Sequence, residues 1–435
     1  MKLIRVLIAG MALLAISNVA HSATIIWTNT SGGNWSVANN WSPNRVPTNT
    51  DDVLITTPGT YTVALDVGRS YYTTNVGNLT LGAGGGAVGV QTLFIPSLSS
   101  QYYILWVNSL MLVTNGGVLQ MTNGGMVIYP SSSLTVAAGG TINMINTLLV
   151  LYGHLANAGT INVTNTSANP FFGGEIRSIN DGSASYQGGL LNQPSGLINL
   201  AGDGNNLDTA GDYVGGYEYI INQGTIVKSA GTNVCHVSAP FMTNSGAITV
   251  QSGFISMRPF VTQSGGSLNV SLNSATNYGS FQIYSGSYYT PFTHILLAGA
   301  FNATLNNGYV PTNGTSFSVV SVLSPDSYSG SFTSLGLPSA VSWQPSYGST
   351  NFTLVAGSPK PQFGTFNLSG TSLIFSGIGG PPGSNYVVLA STNLTIPLTN
   401  WQALTTNTFD IGGQFRYTNN ASPAKPSQFF IFKLP

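Results

Sequence analysis

The sequence carries very little charge. Only 5% of its 435 residues are Asp, Glu, Lys or Arg, whereas roughly a quarter of an ordinary soluble domain is charged. Nucleic-acid binding needs clustered Lys and Arg against the phosphates, and this chain has 11 such residues in all. We therefore expect no nucleic-acid partner. Hydrophobic residues make up 42% of the chain, which is enough to build a core.

Cysteine is nearly absent as well. Cys235 stands alone, so no internal disulfide can hold the fold together. It lies in the strand-like sequence NVCHV, where we interpret it as a small buried hydrophobic residue. The adjacent His236 should point to the opposite face of the strand, which leaves the thiol without an activating base.

Common catalytic and metal-binding patterns are also missing. His154, His236 and His294 are too far apart to form a metal-ligand motif, and we interpret them as structural histidines. No G-x-S-x-G nucleophile motif occurs. The glycine-rich run at 82–89 lacks the Lys-Ser/Thr pair of a phosphate-binding loop, and no predicted helix follows it.

Signals for α-helix are scarce. The chain has only two glutamates, Glu175 and Glu218, and no long stretch in which apolar residues recur every 3.6 positions. Glycine is abundant, with 53 residues. Apolar and polar residues instead alternate over short segments, which is typical of strands. The sequence therefore predicts an all-β fold.

A short phrase recurs between residues 113 and 270. Each copy is a small polar turn, a glycine and then a strand with apolar residues at alternate positions. The copies are VTNGGVLQM at 113–121, MTNGGMVI at 121–128, ANAGTINV at 156–163, INQGTIV at 221–227, TNSGAITV at 243–250 and TQSGGSLNV at 262–270. One copy cannot bury its apolar row alone, whereas stacked copies can. The repeat predicts a parallel β-helix (β-solenoid).

The spacing of the glycine before each strand indicates the length of a coil. Successive marker glycines lie 19 residues apart from Gly140, 22 from Gly224 and 20 from Gly246. A gap of about 20 residues suits two or three short strands joined by turns. The gap of 37 residues after Gly159 indicates an insertion. We expect the glycines to supply positive φ at the turns and the asparagines to stack in ladders along the axis.

These patterns divide the chain into four parts. Residues 1–22 are predicted to be a signal peptide, 23–356 the β-solenoid with caps at both ends, 357–362 a linker, and 363–435 a small C-terminal β-sandwich of about six strands. Trp27, Trp35 and Trp41 are predicted to cap the open N-terminal end of the solenoid. A sugar-stacking platform is the alternative interpretation of these tryptophans.

The N-terminus has the pattern of an export signal. Lys2 and Arg5 precede an apolar stretch at 6–16, and Ala20-His21-Ser22 is a suitable cleavage site. The apolar stretch falls short of the roughly 20 residues that span a bilayer. Cleavage would leave 9 basic residues against 11 acidic ones and no transmembrane segment. We therefore predict a secreted or cell-surface protein.

Three stretches resemble secreted bacterial proteins. GNWSVANNWSPNRVP at 33–47, followed by DDVLI at 51–55, resembles the N-terminal module of large secreted β-helix proteins of environmental Gram-negative bacteria. The repeats, with WQPSYGSTNFTL at 343–354, resemble autotransporter passenger solenoids. Residues 370–435 resemble a terminal β domain that recurs on unrelated secreted proteins. The resemblance implies an extracellular or outer-surface location and a sorting or attachment role for the C-terminal domain.

Acidic residues concentrate in one segment, 175–218, where they stand beside tyrosines and an arginine. Three interpretations remain open: a solvated loop whose Asp and Asn residues cap turns, a Ca²⁺ or glycan site, and a catalytic site using carboxylates as acid and base. Lys228 and Arg258 are interpreted as isolated surface bases, or alternatively as lying on the same flank, as in a lyase. The candidate ligand-binding residues are Glu175, Arg177, Asp203, Asp208, Asp212, Tyr213, Tyr217 and Glu218.

Two functions are consistent with these observations. The first is a non-catalytic structural or adhesion solenoid that contacts glycans or cell-envelope components. The second is a polysaccharide-binding or polysaccharide-degrading β-helix protein, a lyase or glycoside hydrolase, that uses the acidic segment. No residue is assigned a catalytic role, and no cofactor is required except Ca²⁺ under the second interpretation.

Overall fold

The computed structural model describes residues 22–67, 74–86, 88–96, 105–166, 174–179, 188–210, 218–257, 261–262, 265–283, 295–323, 328–359, 361–381, 383–410, 413–420 and 427–434. Three long sheets built from stacked coils form the body of the molecule, and two small antiparallel sheets follow them. Its helical segments are short 3-10 turns at Ala38–Asn40 and Leu398–Asn400. Within these ranges no helix has both the length and the apolar character needed to cross a membrane. The predicted parallel β-solenoid is confirmed.

Strands are numbered in chain order, and each coil contributes one strand to each long sheet. Sheet A contains β1 (Thr24–Trp27), β3 (Trp41–Ser42), β4 (Asp52–Ile55), β7 (Asn78–Leu81), β10 (Leu110–Val113), β13 (Ser133–Val136), β16 (His154–Asn157), β19 (Gly189–Asn192), β22 (Tyr219–Asn222), β25 (Phe241–Asn244), β28 (Val261–Thr262), β31 (Ile295–Leu297) and β34 (Tyr328–Gly330). Sheet B contains β2 (Gly33–Asn34), β5 (Tyr61–Ala64), β8 (Gln91–Ile95), β11 (Gly117–Thr122), β14 (Thr141–Ile145), β17 (Thr160–Thr164), β20 (Leu197–Ala201), β23 (Thr225–Ala230), β26 (Ala247–Val250), β29 (Ser267–Leu272), β32 (Ala300–Leu305) and β35 (Ser334–Gly336). Sheet C contains β6 (Thr74–Val76), β9 (Leu105–Val107), β12 (Gly125–Ile128), β15 (Leu148–Leu151), β18 (Glu175–Ile179), β21 (Asn206–Ala210), β24 (Val234–Val237), β27 (Gly253–Met257), β30 (Gly279–Ile283), β33 (Ser316–Val322), β36 (Val341–Tyr347) and β37 (Asn351–Pro359).

The alternation of apolar and polar residues sends one row of each strand inward. In β14, Ile142 and Met144 are buried, while Thr141, Asn143 and Ile145 are only half-buried on the outside. The parallel register places like residues on top of one another, as where Ile142 lies beside Ile161 of the next coil. Stacking therefore joins the inward rows into one continuous apolar core that runs along the axis.

The glycines that mark the start of each sheet B strand serve close approach between coils. A Cβ on Gly159 would lie 2.3 Å from the carbonyl oxygen of Gly140, and one on Gly246 would lie 2.1 Å from that of Gly224. In three pairs of adjacent glycines the first residue has positive φ, at Gly116, Gly139 and Gly265, so the expected left-handed turns are confirmed there. The marker glycines themselves do not adopt positive φ. Their backbone instead stacks directly against the preceding coil, which leaves no room for a side chain.

Asparagines stack inside the solenoid, at the end of four successive sheet A strands. Asn157, Asn192, Asn222 and Asn244 are all fully buried. Each side-chain amide donates to the Oδ1 of the next asparagine, over 2.8, 2.7 and 2.7 Å. Asn222 also donates to the carbonyl oxygen of Ala247. The predicted asparagine ladder is confirmed. Water cannot reach these buried amides, so the asparagines supply one another's hydrogen bonds.

Tryptophans close the N-terminal end of the core. Trp27 and Trp35 are fully buried and Trp41 is nearly so. Trp41 meets both neighbours edge-on, with ring centroids 4.9 and 4.8 Å away. The cap prediction therefore holds, and the alternative of a sugar-stacking platform fails because these rings have no exposed face. Strand β3 pairs antiparallel with β1 and covers the first edge of sheet A.

An ion pair fastens the cap to the first coil. Both oxygens of the buried Asp51 carboxylate accept from Arg45, over 2.6 and 2.7 Å. The carboxylate also accepts from the backbone N–H and the hydroxyl of Thr48. The Arg45 hydrogen bonds, which outweigh the opposing effect of burial, lower the pKa of Asp51 from 3.8 to about 2.

Acid should therefore weaken the cap. A carboxyl whose pKa is lower in the folded state contributes stability above its unfolded pKa and loses that contribution as the pH falls toward the folded value. We expect the advantage of the wild type over Asp51→Asn in free energy of unfolding to shrink by about 2 kcal/mol between pH 6 and pH 2. Urea denaturation at a series of pH values measures it. Parallel pH profiles for the two proteins would contradict this assignment.

Two antiparallel strands and a group of aromatic rings close the C-terminal end of the solenoid. Strands β36 and β37 pair antiparallel beyond β33. Phe352 on β37 packs between Phe301 and Phe332, with ring centroids 5.2 Å away in each case. Aromatic rings thus cover the last coils. Residues 357–359 of the predicted linker belong to β37.

Two three-stranded antiparallel sheets follow residue 361. One contains β38 (Gln362–Ser369), β39 (Ser372–Ile378) and β42 (Phe415–Asn420), and the other contains β40 (Asn385–Ser391), β41 (Gln402–Thr408) and β43 (Phe429–Lys433). Phe375, Tyr386, Val388, Phe409 and Phe415 form a separate buried cluster between the sheets. The six strands and this cluster agree with a small sandwich.

Candidate functional site

The outer face of sheet B is a long surface without charge. From β5 to β35, the outward-pointing positions of its described strands hold no Asp, Glu, Lys or Arg. Eleven strands at a spacing of roughly 4.8 Å give this face a length of about 50 Å. Threonine, serine and asparagine occupy most outward positions, and apolar residues, including Phe94, Ile145 and Leu197, occupy several of the others.

Side-chain hydrogen bonds organise this surface into a ladder. Asn162 donates to Asn143 over 2.9 Å, and Asn199 donates to Asn162 over 3.2 Å. The hydroxyl of Ser229 then donates to Asn199 over 2.6 Å. Farther along the axis, Asn302 donates to Asn269 over 2.7 Å. These side chains are therefore held in place, and their remaining donors and acceptors recur at the coil spacing.

Beside the asparagines runs a row that is rich in hydroxyl groups. Thr92, Thr141, Thr160 and Thr225 occupy equivalent outward positions on β8, β14, β17 and β23, and the apolar residues Val118 and Leu197 occupy the same row on β11 and β20. The phrase T-I-N-V at 160–163 carries both rows, with threonine and asparagine outside and isoleucine and valine inside. Its recurrence is the sequence signal for this face, although our list of candidate residues did not include it.

The acidic segment 175–218 is not one inserted loop. It contains four regular strands, β18 to β21. The extra length of this part of the chain lies in the connections at 165–174, 180–188 and 211–218. Because the segment crosses all three sheets, its described acidic residues are divided: Glu175 and Asp208 lie on sheet C, whereas Asp203 and Glu218 lie elsewhere on the coil.

One group of candidates lies on the outer face of sheet C. Arg177 forms a bidentate ion pair with Glu175 on the same strand, over 2.6 and 2.8 Å. Asp208 stands beside Arg177 on the next strand. Arg177 is about one-third exposed. Partly exposed ion pairs of this kind contribute little to stability. With two carboxylates and one guanidinium, these three residues form a small cluster with a net charge of about −1.

Asp203 lies at the corner between sheets B and C, and its partner is a buried lysine. Lys228 is completely buried, and its ammonium donates to Asp203 over 2.9 Å and to the Ala230 carbonyl over 2.6 Å. The interpretation of Lys228 as a surface base is therefore wrong. The register of β20 and β23 shifts at this point.

Asp203 also caps the turn of the next coil. It accepts from the backbone N–H groups of Thr232 and Asn233, over 3.1 and 2.9 Å. Burial alone would raise the pKa of this carboxyl, but the hydrogen bonds from Lys228, Asn233 and Thr232 outweigh it, so the pKa lies below its usual value. Asp203 is thus held ionised as a structural group. Nearby, burial raises the pKa of the Cys235 thiol, which donates to the Gly202 carbonyl.

Of the remaining candidates, the structure describes only Glu218. Glu218 is fully buried at the start of β22, so the interpretation of the segment as solvated loop fails for this residue. Asp212, Tyr213 and Tyr217, together with Arg258, lie outside the described residues. In the part of the chain that the structure describes, no three His, Cys, Asp or Glu side chains are grouped to hold a metal ion.

Comparison with known proteins gives no family. No protein-family model matches the chain, and no curated protein matches it. The parallel sheets of the structure show the β-solenoid without help from a relative.

Proposed function

We propose that this protein is a secreted or cell-surface solenoid that adheres to an uncharged polysaccharide matrix through the outer face of sheet B. The observation that carries the proposal is that hydroxyl or amide side chains recur at outward positions along about 50 Å of this face, and that from Asn143 to Ser229 they form a hydrogen-bonded ladder. A rigid periodic surface can form many weak contacts with an extended polymer at once, and such contacts accumulate without a deep pocket.

The lack of charge on this face favours a neutral polymer. An ionised group facing an uncharged ligand would lose hydration without gaining a counter-charge, and sheet B presents no such group at its described outward positions. Hydroxyl and amide groups can exchange hydrogen bonds with sugar hydroxyls, directly or through water.

The acidic residues support the non-catalytic alternative. Asp203 is engaged by Lys228 and by two backbone N–H groups, and Glu175 is paired with Arg177. Catalytic carboxylates of glycoside hydrolases have to face one another across a substrate, whereas these two are held on different parts of the coil. As further parts of the proposal, residues 1–22 direct export and the C-terminal sandwich acts in sorting or surface attachment, as in the secreted bacterial proteins that the chain resembles.

Positive charge on sheet B should abolish adhesion to neutral polymers. We expect the double variant Asn162→Lys/Asn199→Lys to bind microcrystalline cellulose or chitin at least tenfold more weakly than wild type, because two ammonium groups would have to be desolvated against an uncharged surface. Co-sedimentation with the insoluble polymer measures the bound fraction.

The matched control carries the same charge elsewhere. Thr406 and Thr418 are exposed on strands β41 and β42 of the C-terminal sandwich, so Thr406→Lys/Thr418→Lys should bind like wild type. Equal binding by the sheet B variant and wild type would contradict the proposal, as would a preference of wild type for a polyanion such as alginate over neutral polymers.

A further inference from the structure

We propose that the outer face of sheet A holds a second carbohydrate site, an aromatic platform of Tyr219 and Phe241 that stacks against pyranose rings. The inference rests on the proposed function for the class of ligand, but it concerns a different face and a different type of contact. Sheet B offers hydrogen-bonding groups, whereas this site offers an exposed phenylalanine beside a half-buried tyrosine.

Tyr219 is built into the surface in a fixed orientation. Its ring reaches across the neighbouring strand and lies over Gly189, where a Cβ would come within 2.1 Å of a ring carbon. Its hydroxyl meets Nδ1 of His154, two strands away, at 3.0 Å. The two rings are nearly parallel, with 26° between their planes. The absence of a side chain at Gly189 is thus what allows the ring to lie along the sheet.

Phe241 extends the platform by one coil. It pairs with Tyr219 in the register of sheet A, and 57% of it is exposed. Leu191 and Ile221 form the adjacent outward row. An exposed phenylalanine beside an immobilised tyrosine gives two aromatic residues roughly 4.8 Å apart along the axis.

The surroundings favour an uncharged ligand. Strands β13, β16, β19, β22 and β25 contain no Asp, Glu, Lys or Arg. The C–H groups of a pyranose ring can pack on an aromatic face, where burial of apolar area and the negative face of the ring both contribute. Because Tyr219 is already held by His154 and Gly189, binding has less side-chain freedom to remove. The occupant we assign is therefore a stretch of neutral polysaccharide.

Binding of soluble oligosaccharides tests the platform separately from sheet B adhesion. We expect the wild-type protein to bind at least one of cellohexaose, chitohexaose and mannohexaose in isothermal titration calorimetry. Phe241→Ala and Tyr219→Ala should each weaken this binding by about tenfold. Gly189→Ala should do the same, because the added methyl group displaces the Tyr219 ring without removing it.

Two controls define the outcome. Tyr219→Phe keeps the ring and should stay within about threefold of wild type, and Phe366→Ala removes another exposed ring (62% exposed) in the C-terminal sandwich and should have no effect. The inference is overturned if wild type binds none of the three hexasaccharides, or if Phe241→Ala and Tyr219→Ala both bind like wild type. Either result leaves co-sedimentation through sheet B as an independent measurement of the proposed function.

Discussion

Replacing Asp203 with alanine should lower the free energy of unfolding by about 3 to 5 kcal/mol, because it leaves a buried ammonium without its counter-charge. Lys228 is 0% exposed, and among the described residues its ammonium would keep the hydrogen bond to the carbonyl oxygen of Ala230. The turn at Thr232 and Asn233 would also lose the acceptor of its two N–H groups. Urea denaturation at pH 7 measures the loss.

The reciprocal substitution should be milder. Lys228→Met removes the buried charge itself, and the side chain of Asp203 is 33% exposed and keeps its two backbone donors. We therefore expect Lys228→Met to cost only about 1 to 2 kcal/mol. Adding Asp203→Asn to Lys228→Met should cost little more, because the pair is then replaced as a unit. If Asp203→Ala and Lys228→Met were equally destabilising, the asymmetry of burial would not control the energetics of this pair.

The second large effect is expected inside the asparagine ladder. Asn192→Leu removes two hydrogen bonds. The Asn157 amide donates to Asn192 over 2.8 Å, and the Asn192 amide donates to Asn222 over 2.7 Å. Both partners are fully buried, so water cannot replace the lost bonds. At about 1 to 3 kcal/mol for each unsatisfied group, we expect a loss of about 3 kcal/mol. Hydrogen exchange should show the greatest loss of protection in β16, β19 and β22, because each coil depends on its immediate neighbours.

The outer ladder of sheet B provides the matched control. Asn162 also forms side-chain hydrogen bonds with asparagines on both sides, but it is only half-buried. Water can therefore satisfy the groups that Asn162→Leu leaves behind, and this substitution should cost less than about 1 kcal/mol. Comparable losses for Asn162→Leu and Asn192→Leu would mean that burial does not distinguish the two ladders.

Three ion pairs hold six of the 13 charged residues in the described part of the chain. Arg45 holds Asp51 at the cap, Lys228 holds Asp203 at a corner, and Arg177 holds Glu175 on sheet C. The surfaces that remain free for ligands are consequently built from hydroxyl, amide and ring groups. These six charges are occupied within the fold, which leaves the uncharged outer face of sheet B and the uncharged strands of sheet A that carry Tyr219 and Phe241 as the proposed binding surfaces.

Much of the fold could be predicted because it depends on local patterns. The two-residue alternation decides which side chains point inward, and the polar turn followed by glycine marks where each sheet B strand begins. Both patterns can be recognised in a single sequence. Positive φ was correctly expected at the turns and belongs to Gly116, Gly139 and Gly265. The role of the marker glycines was not predicted, because close approach to Gly140 or Gly224 involves two coils.

The sequence by itself determined the coils, their inward rows, the asparagine stacking and the tryptophan cap, since each follows from residues close together in the chain. Only the tertiary structure decided which residues become neighbours along the axis: Lys228 with Asp203, Tyr219 over Gly189, and the division of the acidic segment among three sheets. The reason is that the coils differ in length, from 19 to 37 residues between marker glycines. Neighbours across coils therefore have no constant separation in sequence, and their pairing depends on the register that the packed core imposes.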